Sequence, residues 1–307
     1  MKRIISALIV LLMLLSLTAC NVSDHTIDIT PAEYLEEAKP KIVEHCPTEY
    51  TEDRFDVLYG TLTKVKYYSD TCGRERNVNI LLPAGYTEEK SYPVLYVLHG
   101  YWGNEDSMCN PTDETLTTVE IVGNLIAEGE AEEMIVVFPY IFCSKELEYC
   151  TGMDATNNAA YDNFINELYD DLMPFIEDTY SVARGRENTA ITGFSMGGRE
   201  SLYIGFSNPE KFGYIGAICP APGVTELIPE EELVFESEEV TPYVLLITAG
   251  SNDTVVYNVP ETYHYALKNN GVDHIWSYVE GGYHGGNCIR SNMYNFCRTI
   301  FKHRTEK

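Results

Sequence analysis

Five short runs of almost uninterrupted apolar residues constrain this chain most. They read YPVLYVLHG, EEMIVVFPY, NTAITGFS, YVLLITAG and HIWSYVEGG, and a helix-patterned stretch separates each from the next. Runs without polar alternation belong in strands buried on both faces, the habit of parallel sheets. The helical stretches include LTTVEIVGNLIAEG, which closes on a glycine as a helix C-terminus does, then PETYHYALKNNG and SNMYNFCRTIFKH. The longest, AAYDNFINELYDDLMPFIEDTY, places Phe164, Leu168, Leu172, Phe175 and Ile176 on one face. Two earlier runs, YGTLTKVKYYS and RNVNILLP, read as an antiparallel pair. Strands alternating with helices predict an α/β fold, a mostly parallel central sheet covered by helices on both faces. No linker interrupts residues 46–307, which therefore read as one domain. In such sheets, functional sites gather beyond the carboxyl ends of the strands.

One of those carboxyl ends carries an unusual composition. TAITGFSMGGRES sets Ser195 between Gly193 and Gly197, with Gly198 following. A G-x-S-x-G run arises by chance in roughly one chain of this length in ten, so its setting matters more than its letters. Here a β-type run precedes it, and Leu202, Tyr203 and Phe206 follow at helical spacing. A serine on a sharp strand-to-helix turn needs strained dihedrals and small neighbours, which glycine supplies. Such a turn lifts the hydroxyl above the sheet edge. It predicts an oxyanion donor earlier in the chain, then an acid and a histidine later.

All three are present. VLYVLHGYWGNED ends a strand in a histidine-glycine turn, and the backbone N–H of Tyr101 there pairs with that of Met196 as an oxyanion hole. His99 in the same turn reads as a brace for the loop rather than a base. YVLLITAGSND ends another strand, and Asp253 lies just beyond it. The rival carboxylate, Asp273, precedes a strand and so belongs at the opposite sheet edge. HIWSYVEGGYHGGN ends the next strand, with His284 in a glycine-rich loop at the correct edge. Ser195, Asp253 and His284 occur in the serine–acid–histidine order of α/β-hydrolases.

The chain's first segment is a separate matter. MKRIISALIVLLMLLSLTAC has a basic start, an apolar run from Ile4 to Leu17 and small residues before Cys20. It reads as an export signal, too short to be a comfortable membrane span. LTAC has the form of a bacterial lipobox, with Cys20 as the lipid attachment site; a plain secretory signal is the alternative. Residues 21–45 then read as a polar tether containing at most a short helix. Eight further cysteines, an even number, suit an oxidising compartment, and Cys143 and Cys150, bracketing CSKELEYC, are close enough in sequence to suggest a bridge. Cys219, in apolar YIGAIC, reads as a buried thiol. The formal net charge is −26; beyond residue 20, which follows Lys2 and Arg3, it is 19 − 47 = −28. So acidic a body repels nucleic acid and anionic lipid headgroups, but not a neutral polysaccharide. The 23 tyrosines include candidates for stacking on sugars. No metal-ligand spacing and no phosphate-binding glycine loop occur, so neither a metal nor a cofactor is expected.

From about residue 60 to 302 the chain resembles the esterase-D-like, carbohydrate esterase family 1 branch of the α/β-hydrolases, which includes feruloyl and acetyl xylan esterases. The resemblance rests on YYSDTCGRERNVNILLPAGY, YPVLYVLHGYWGNED, VGNLIAEGEAEEMIVVFP, ENTAITGFSMGG, ITAGSND and GVDHIWSYVEGGYHGG, in the family's order. It implies an α/β-hydrolase fold, with Ser195 as nucleophile, Asp253 as acid, His284 as base, and Tyr101 and Met196 as oxyanion donors. It implies a serine ester hydrolase that removes acetyl or feruloyl groups from carbohydrate, and the export signal puts that activity outside the cytoplasmic membrane, lipid-anchored or secreted. An acyltransferase or peptidase using the same triad, or a glycan-binding surface lipoprotein without catalysis, are the alternatives. Two departures concern the pocket walls. The segment after His284 is GGNCIRSN where cell-wall esterases often have an aspartate and an aromatic. Met108 and Cys109 stand where a tryptophan is common, although Trp102 lies inside the loop.

Overall fold

The computed structural model describes residues 25–109, 117–223 and 227–306. Its centre is an eight-stranded sheet in the order β2-β3-β5-β4-β6-β7-β8-β9. The strands are β2 (Thr61–Ser69), β3 (Arg74–Leu82), β4 (Val94–Leu98), β5 (Ile135–Pro139), β6 (Thr189–Gly193), β7 (Tyr214–Ile218), β8 (Val244–Gly250) and β9 (Ile275–Val279). β2 and β3 pair antiparallel, with Thr61 opposite Leu82, and β3 runs antiparallel to β5. Every pairing from β5 through β9 is parallel.

The unbroken apolar runs are explained by two cores, one on each face. In β4, Val94, Tyr96 and Leu98 enter one core, while Leu95 and Val97 enter the other. The first face is covered by α3 (Ala155–Asp162), α4 (Phe164–Glu167), α5 (Met173–Thr179), α6 (Met196–Ser207) and α7 (Val259–Asn269). The second is covered by α1 (Pro31–Ala38), α2 (Thr118–Ala127) and α8 (Gly286–Thr299).

Four expectations need correction. β7 was absent from the predicted strands. Gly216 interrupts its short apolar run, and it is required there because a Cβ would lie 2.5 Å from Thr192 Oγ1. The long helix predicted over residues 159–180 starts earlier, at Ala155, where the Asp154 side chain accepts from the N–H of Asn157 at 2.9 Å. It is also broken, with a wide π turn over Leu168–Leu172 just before Pro174, which has no N–H to continue an α ladder. The predicted buried face still holds, since Phe164, Leu168, Leu172 and Ile176 are all fully buried and Phe175 packs against them.

The described part of the expected tether belongs to the folded body. Thr30 and Glu33 form a reciprocal capping box at the start of α1, and Tyr34, Leu35 and Ala38 are buried. The Tyr34 hydroxyl donates to the Thr299 carbonyl at 2.8 Å. The strand β1 (His25–Ile27) pairs antiparallel with β10 (Arg304–Glu306), so the first and last described segments meet. Finally, Cys143 and Cys150 are both free thiols, and Cys143 faces Cys72 instead. Cys219 is a fully buried thiol. The signal segment and Cys20 lie outside the described residues.

Candidate active site

Ser195 follows β6 directly and has φ +57° and ψ −114°, a left-handed-side conformation that a non-glycine residue adopts only when its surroundings impose it. The surroundings are two strand ends in close approach. A Cβ on Gly193 would lie 2.4 Å from the Gly197 carbonyl oxygen. One on Gly197 would lie 2.5 Å from the carbonyl oxygens of both Leu98 and His99. The glycines around Ser195 thus let the β4 end and the start of α6 touch. Backbone bonds fix the turn: Ser195 N–H donates to Ile218 O at 2.8 Å, and Ala221 N–H to Ser195 O at 2.9 Å.

Three predicted side chains converge at this edge. His284 Nε2 lies 2.9 Å from Ser195 Oγ. His284 Nδ1 lies 2.7 Å from Asp253 Oδ2. The other Asp253 oxygen accepts from the N–H groups of Val255 at 2.9 Å and Val256 at 3.1 Å. Burial alone would raise the Asp253 carboxyl, but the His284 bond and these two N–H groups outweigh it and hold the group below the usual carboxylate range. Asp253 therefore stays ionised and fixes His284 with its proton on Nδ1, leaving Nε2 to face the serine. Phe194 packs its ring 4.6 Å from the His284 ring and seats it. Asp273 lies just before β9, at the far edge, as expected.

The loop after β4 presses on the serine. A side chain at Gly100 would come within 3.3 Å of Ser195 Cβ. Among the described residues, neither the N–H of Tyr101 nor that of Met196 has a hydrogen-bond partner. Met196 opens α6, so its N–H is also at the positive end of a helix. His99 is buried, with its Nδ1 2.7 Å from Gly100 O and its Nε2 accepting from Ile141 N–H at 3.0 Å. Burial drives its pKa down to about 4, so the ring is neutral and braces the loop.

Other positioning groups were not anticipated. Tyr161 on α3 is fully buried, and its hydroxyl accepts from the N–H of Trp102, a residue held at φ +67°. Its ring lies 4.6 Å from that of Tyr101. On α6, Arg199 bridges Asp162 at 2.5 Å and Glu200 at 2.6 Å, joining α3 to the nucleophile helix. Glu200 is fully buried, and burial pushes its pKa up to about 8. The glycine pattern advertises the serine, but nothing in the spacing of Tyr161 or Glu200 separates them from core-facing helical residues.

Comparison with known proteins gives the chain a family. The Esterase family model ("Putative esterase") matches residues 69–254, well over half of the chain. A solved CE1 ferulic acid esterase from Anaeromyces mucronatus is 43% identical, covering 85% of this chain and 98% of its own, with a TM-score of 0.80. The chain belongs to the carbohydrate esterase family 1 group of esterases. It is a serine carboxylic-ester hydrolase with the α/β-hydrolase fold. An endo-1,4-beta-xylanase/feruloyl esterase from Xylanibacter ruminicola is 31% identical over 186 residues, which is 59% of this chain and 24% of that protein. The chain thus spans about a quarter, or less, of the curated relatives it matches. An S-formylglutathione hydrolase from Staphylococcus aureus, 18% identical with a TM-score of 0.53, shares the fold.

Proposed function

We propose that this esterase removes feruloyl-type acyl groups from plant-type polysaccharide, with acetyl esters as a lesser substrate, outside the cytoplasmic membrane. The observation that carries the reading is the unbroken chain from Asp253 through His284 to Ser195, at 2.7 and 2.9 Å. His284 Nε2 takes the proton of Ser195 Oγ as that oxygen attacks the ester carbonyl. The N–H groups of Tyr101 and Met196 receive the negative oxygen of the tetrahedral intermediate. His284 then gives its proton to the departing sugar hydroxyl, and water repeats the sequence on the acyl-enzyme. Asp253 holds the ring and stabilises it while charged.

The substrate class has two supports. The 43%-identical A. mucronatus esterase has also been solved in complex with ferulic acid. The loops of this chain expose aromatic rings beside the site residues: Trp102 follows Tyr101, Tyr283 precedes His284, and Tyr257 lies four residues past Asp253, each more than half exposed. Such rings suit sugars and aromatic acyl groups alike. The test compares kcat/KM on feruloylated and acetylated xylan oligosaccharides, for the wild type and for Ser195→Ala. Higher kcat/KM on the feruloylated set, with a loss of at least about 10³-fold in the variant, is expected. Equal activity of the variant removes Ser195 as nucleophile; a preference for the acetylated set removes the feruloyl assignment. For location, Cys20→Ala moves the protein from the membrane fraction to the soluble fraction if Cys20 carries lipid.

A further inference from the structure

A second cluster of reactive side chains lies away from the triad. Cys72 sits in the turn between β2 and β3, and Cys143 lies four residues past β5. Both are buried, and their sulfurs are 3.1 Å apart although 71 residues separate them in sequence. Glu167 of α4 lies beside them, with its Oε2 3.5 Å from Cys72 Sγ. Its other oxygen accepts from the Tyr67 hydroxyl at 2.6 Å and lies 3.2 Å from Arg76 Nε. Asn163 Nδ2 donates to Cys143 Sγ at 3.3 Å. Cys143 also lines an open cavity of about 810 Å³, together with Thr71, Ser144 and Lys145.

We propose that Cys72 and Cys143 are a dithiol that oxidises to a disulfide, and that this bond fastens the segment from Cys143 to Asp154 beside the oxyanion loop. Closing the bond requires the sulfurs to approach by only about 1 Å, to roughly 2.05 Å. The pKa of Cys72 is lowered: the contact with Cys143 and the Arg76 charge outweigh burial and the neighbouring Glu167 carboxylate, which both act the other way. Cys143, which lines the cavity, loses its proton and attacks one sulfur of a small disulfide, such as oxidised glutathione, that enters there, and one glutathione thiolate leaves with that proton. The Cys72 thiolate, 3.1 Å away, then attacks the Cys143 sulfur of the mixed disulfide, expelling the second glutathione. Two protein thiols thereby lose two electrons and two protons, and the oxidant gains both.

The bond bears on the active site through contacts at the other end of the segment. The Tyr101 hydroxyl donates to Gly152 O at 3.0 Å, and Asp154 caps α3, whose Tyr161 holds the Trp102 N–H. The disulfide therefore anchors the near end of a segment whose far end supports the oxyanion loop. A metal ion is the competing occupant, because Cys72, Cys143 and Glu167 offer ligand atoms within 4.8 Å of one another. The Arg76 guanidinium on Glu167 already supplies the positive charge a cation would bring.

The experiment uses the whole chain, incubated with oxidised glutathione, then denatured, alkylated without reduction, digested and examined by mass spectrometry. A cross-linked peptide pair holding Cys72 and Cys143 is expected. Oxidation should also raise Tm by about 4–8 °C over the reduced protein, the shift a loop of this length implies, and should slow proteolytic cleavage between residues 143 and 154. Cys72→Ser and Cys143→Ser should each abolish the cross-link and the Tm difference; should either variant fail to fold, the oxidised and reduced wild type give the same comparison. Full alkylation of both thiols after oxidation, a link from Cys143 to Cys150, or stoichiometric zinc in the purified protein would each overturn the proposal. An unchanged cleavage rate between residues 143 and 154 would overturn the anchoring role. None of these readouts depends on the acyl group or on Ser195.

Discussion

His99 offers the sharpest perturbation of the oxyanion loop. The carbonyl of Gly100 and the N–H of Tyr101 belong to one planar peptide unit and point in opposite directions. His99 Nδ1–H grips that carbonyl at 2.7 Å, and Gly103 N–H grips it at 3.1 Å. Holding the carbonyl on one side aims the Tyr101 N–H at the other. His99→Ala removes one of the two grips, leaves Ile141 N–H without its partner, and opens a cavity the size of an imidazole. Losing an oxyanion donor outright costs about 10²–10³ in turnover. Because Gly103 keeps its grip, kcat on p-nitrophenyl acetate should fall by about 10- to 100-fold, with KM changed by less than about threefold. That split marks an interaction made mainly in the transition state. The stranded Ile141 N–H alone should lower stability by about 1–3 kcal/mol.

The same residue predicts a pH dependence of stability. Its folded pKa of about 4 lies below the ordinary 6.5, because burial disfavours the charged ring. Between those values the unfolded chain binds a proton that the folded protein refuses. Stability from this group is therefore complete above pH 6.5 and is lost as pH falls toward 4, by about 3 kcal/mol in all. In His99→Ala the melting temperature should fall less steeply over that interval. A folded variant that keeps the wild-type kcat within twofold would refute the argument that the carbonyl grip orients the Tyr101 N–H.

Asp253→Asn should reduce kcat by about 10³–10⁴-fold while leaving the thermal melt near that of the wild type, since an amide favours the wrong tautomer of His284; urea melts alongside kinetics check this. Gly197→Ala should destabilise by more than about 2 kcal/mol, because its Cβ would meet two carbonyl oxygens at 2.5 Å; denaturant unfolding reads it directly. Tyr34→Ala should cost about 3–5 kcal/mol by emptying a buried ring site and losing the bond to Thr299 O, which equilibrium unfolding would report. Glu200→Gln addresses a raised acid. The folded pKa of about 8 exceeds the unfolded value of 4.5, so wild-type stability falls as pH rises between them. The variant's Tm should lack that decline when measured from pH 5 to 8.

What the sequence made legible follows a physical division. The strands of the parallel sheet face two cores, so their apolar runs have no alternation, and Val94 through Leu98 announce burial in five letters. The three residues of the site are legible because each follows such a run and keeps unusual neighbours: glycines around Ser195, Ser-Asn before Asp253, glycines around His284. Gly193, Gly197 and Gly282 mark places where backbone must approach backbone, while Gly281 and Gly285 supply positive φ, and both requirements are written in the chain itself. β7 escaped because its own glycine, Gly216, makes room for the Thr192 side chain inside a strand, where it reads as a break.

The features that stayed hidden depend on partners distant in sequence. Cys143 faces Cys72 rather than Cys150 because β3 and β5 are sheet neighbours, so the β2–β3 turn and the segment following β5 emerge side by side. No count of cysteines or spacing within CSKELEYC contains that adjacency. Tyr161 reaches Trp102 for a similar reason: α3 packs on the face toward which the β4 loop turns. The chemistry of the triad is thus carried by local turns, which composition reveals. The precision of the oxyanion loop is carried by His99, Tyr161 and the Gly152 carbonyl, each reaching Gly100–Trp102 through the fold. If that division is right, substitutions of the triad residues on the local turns should each cut turnover by about 10³-fold or more. Substitutions at the distant supports should instead lower kcat in graded steps that combine less than additively, because they act on adjacent peptide units of one short loop. A His99→Ala, Tyr161→Phe double variant whose loss equals the product of the single losses would show that the two supports act independently and would break the argument.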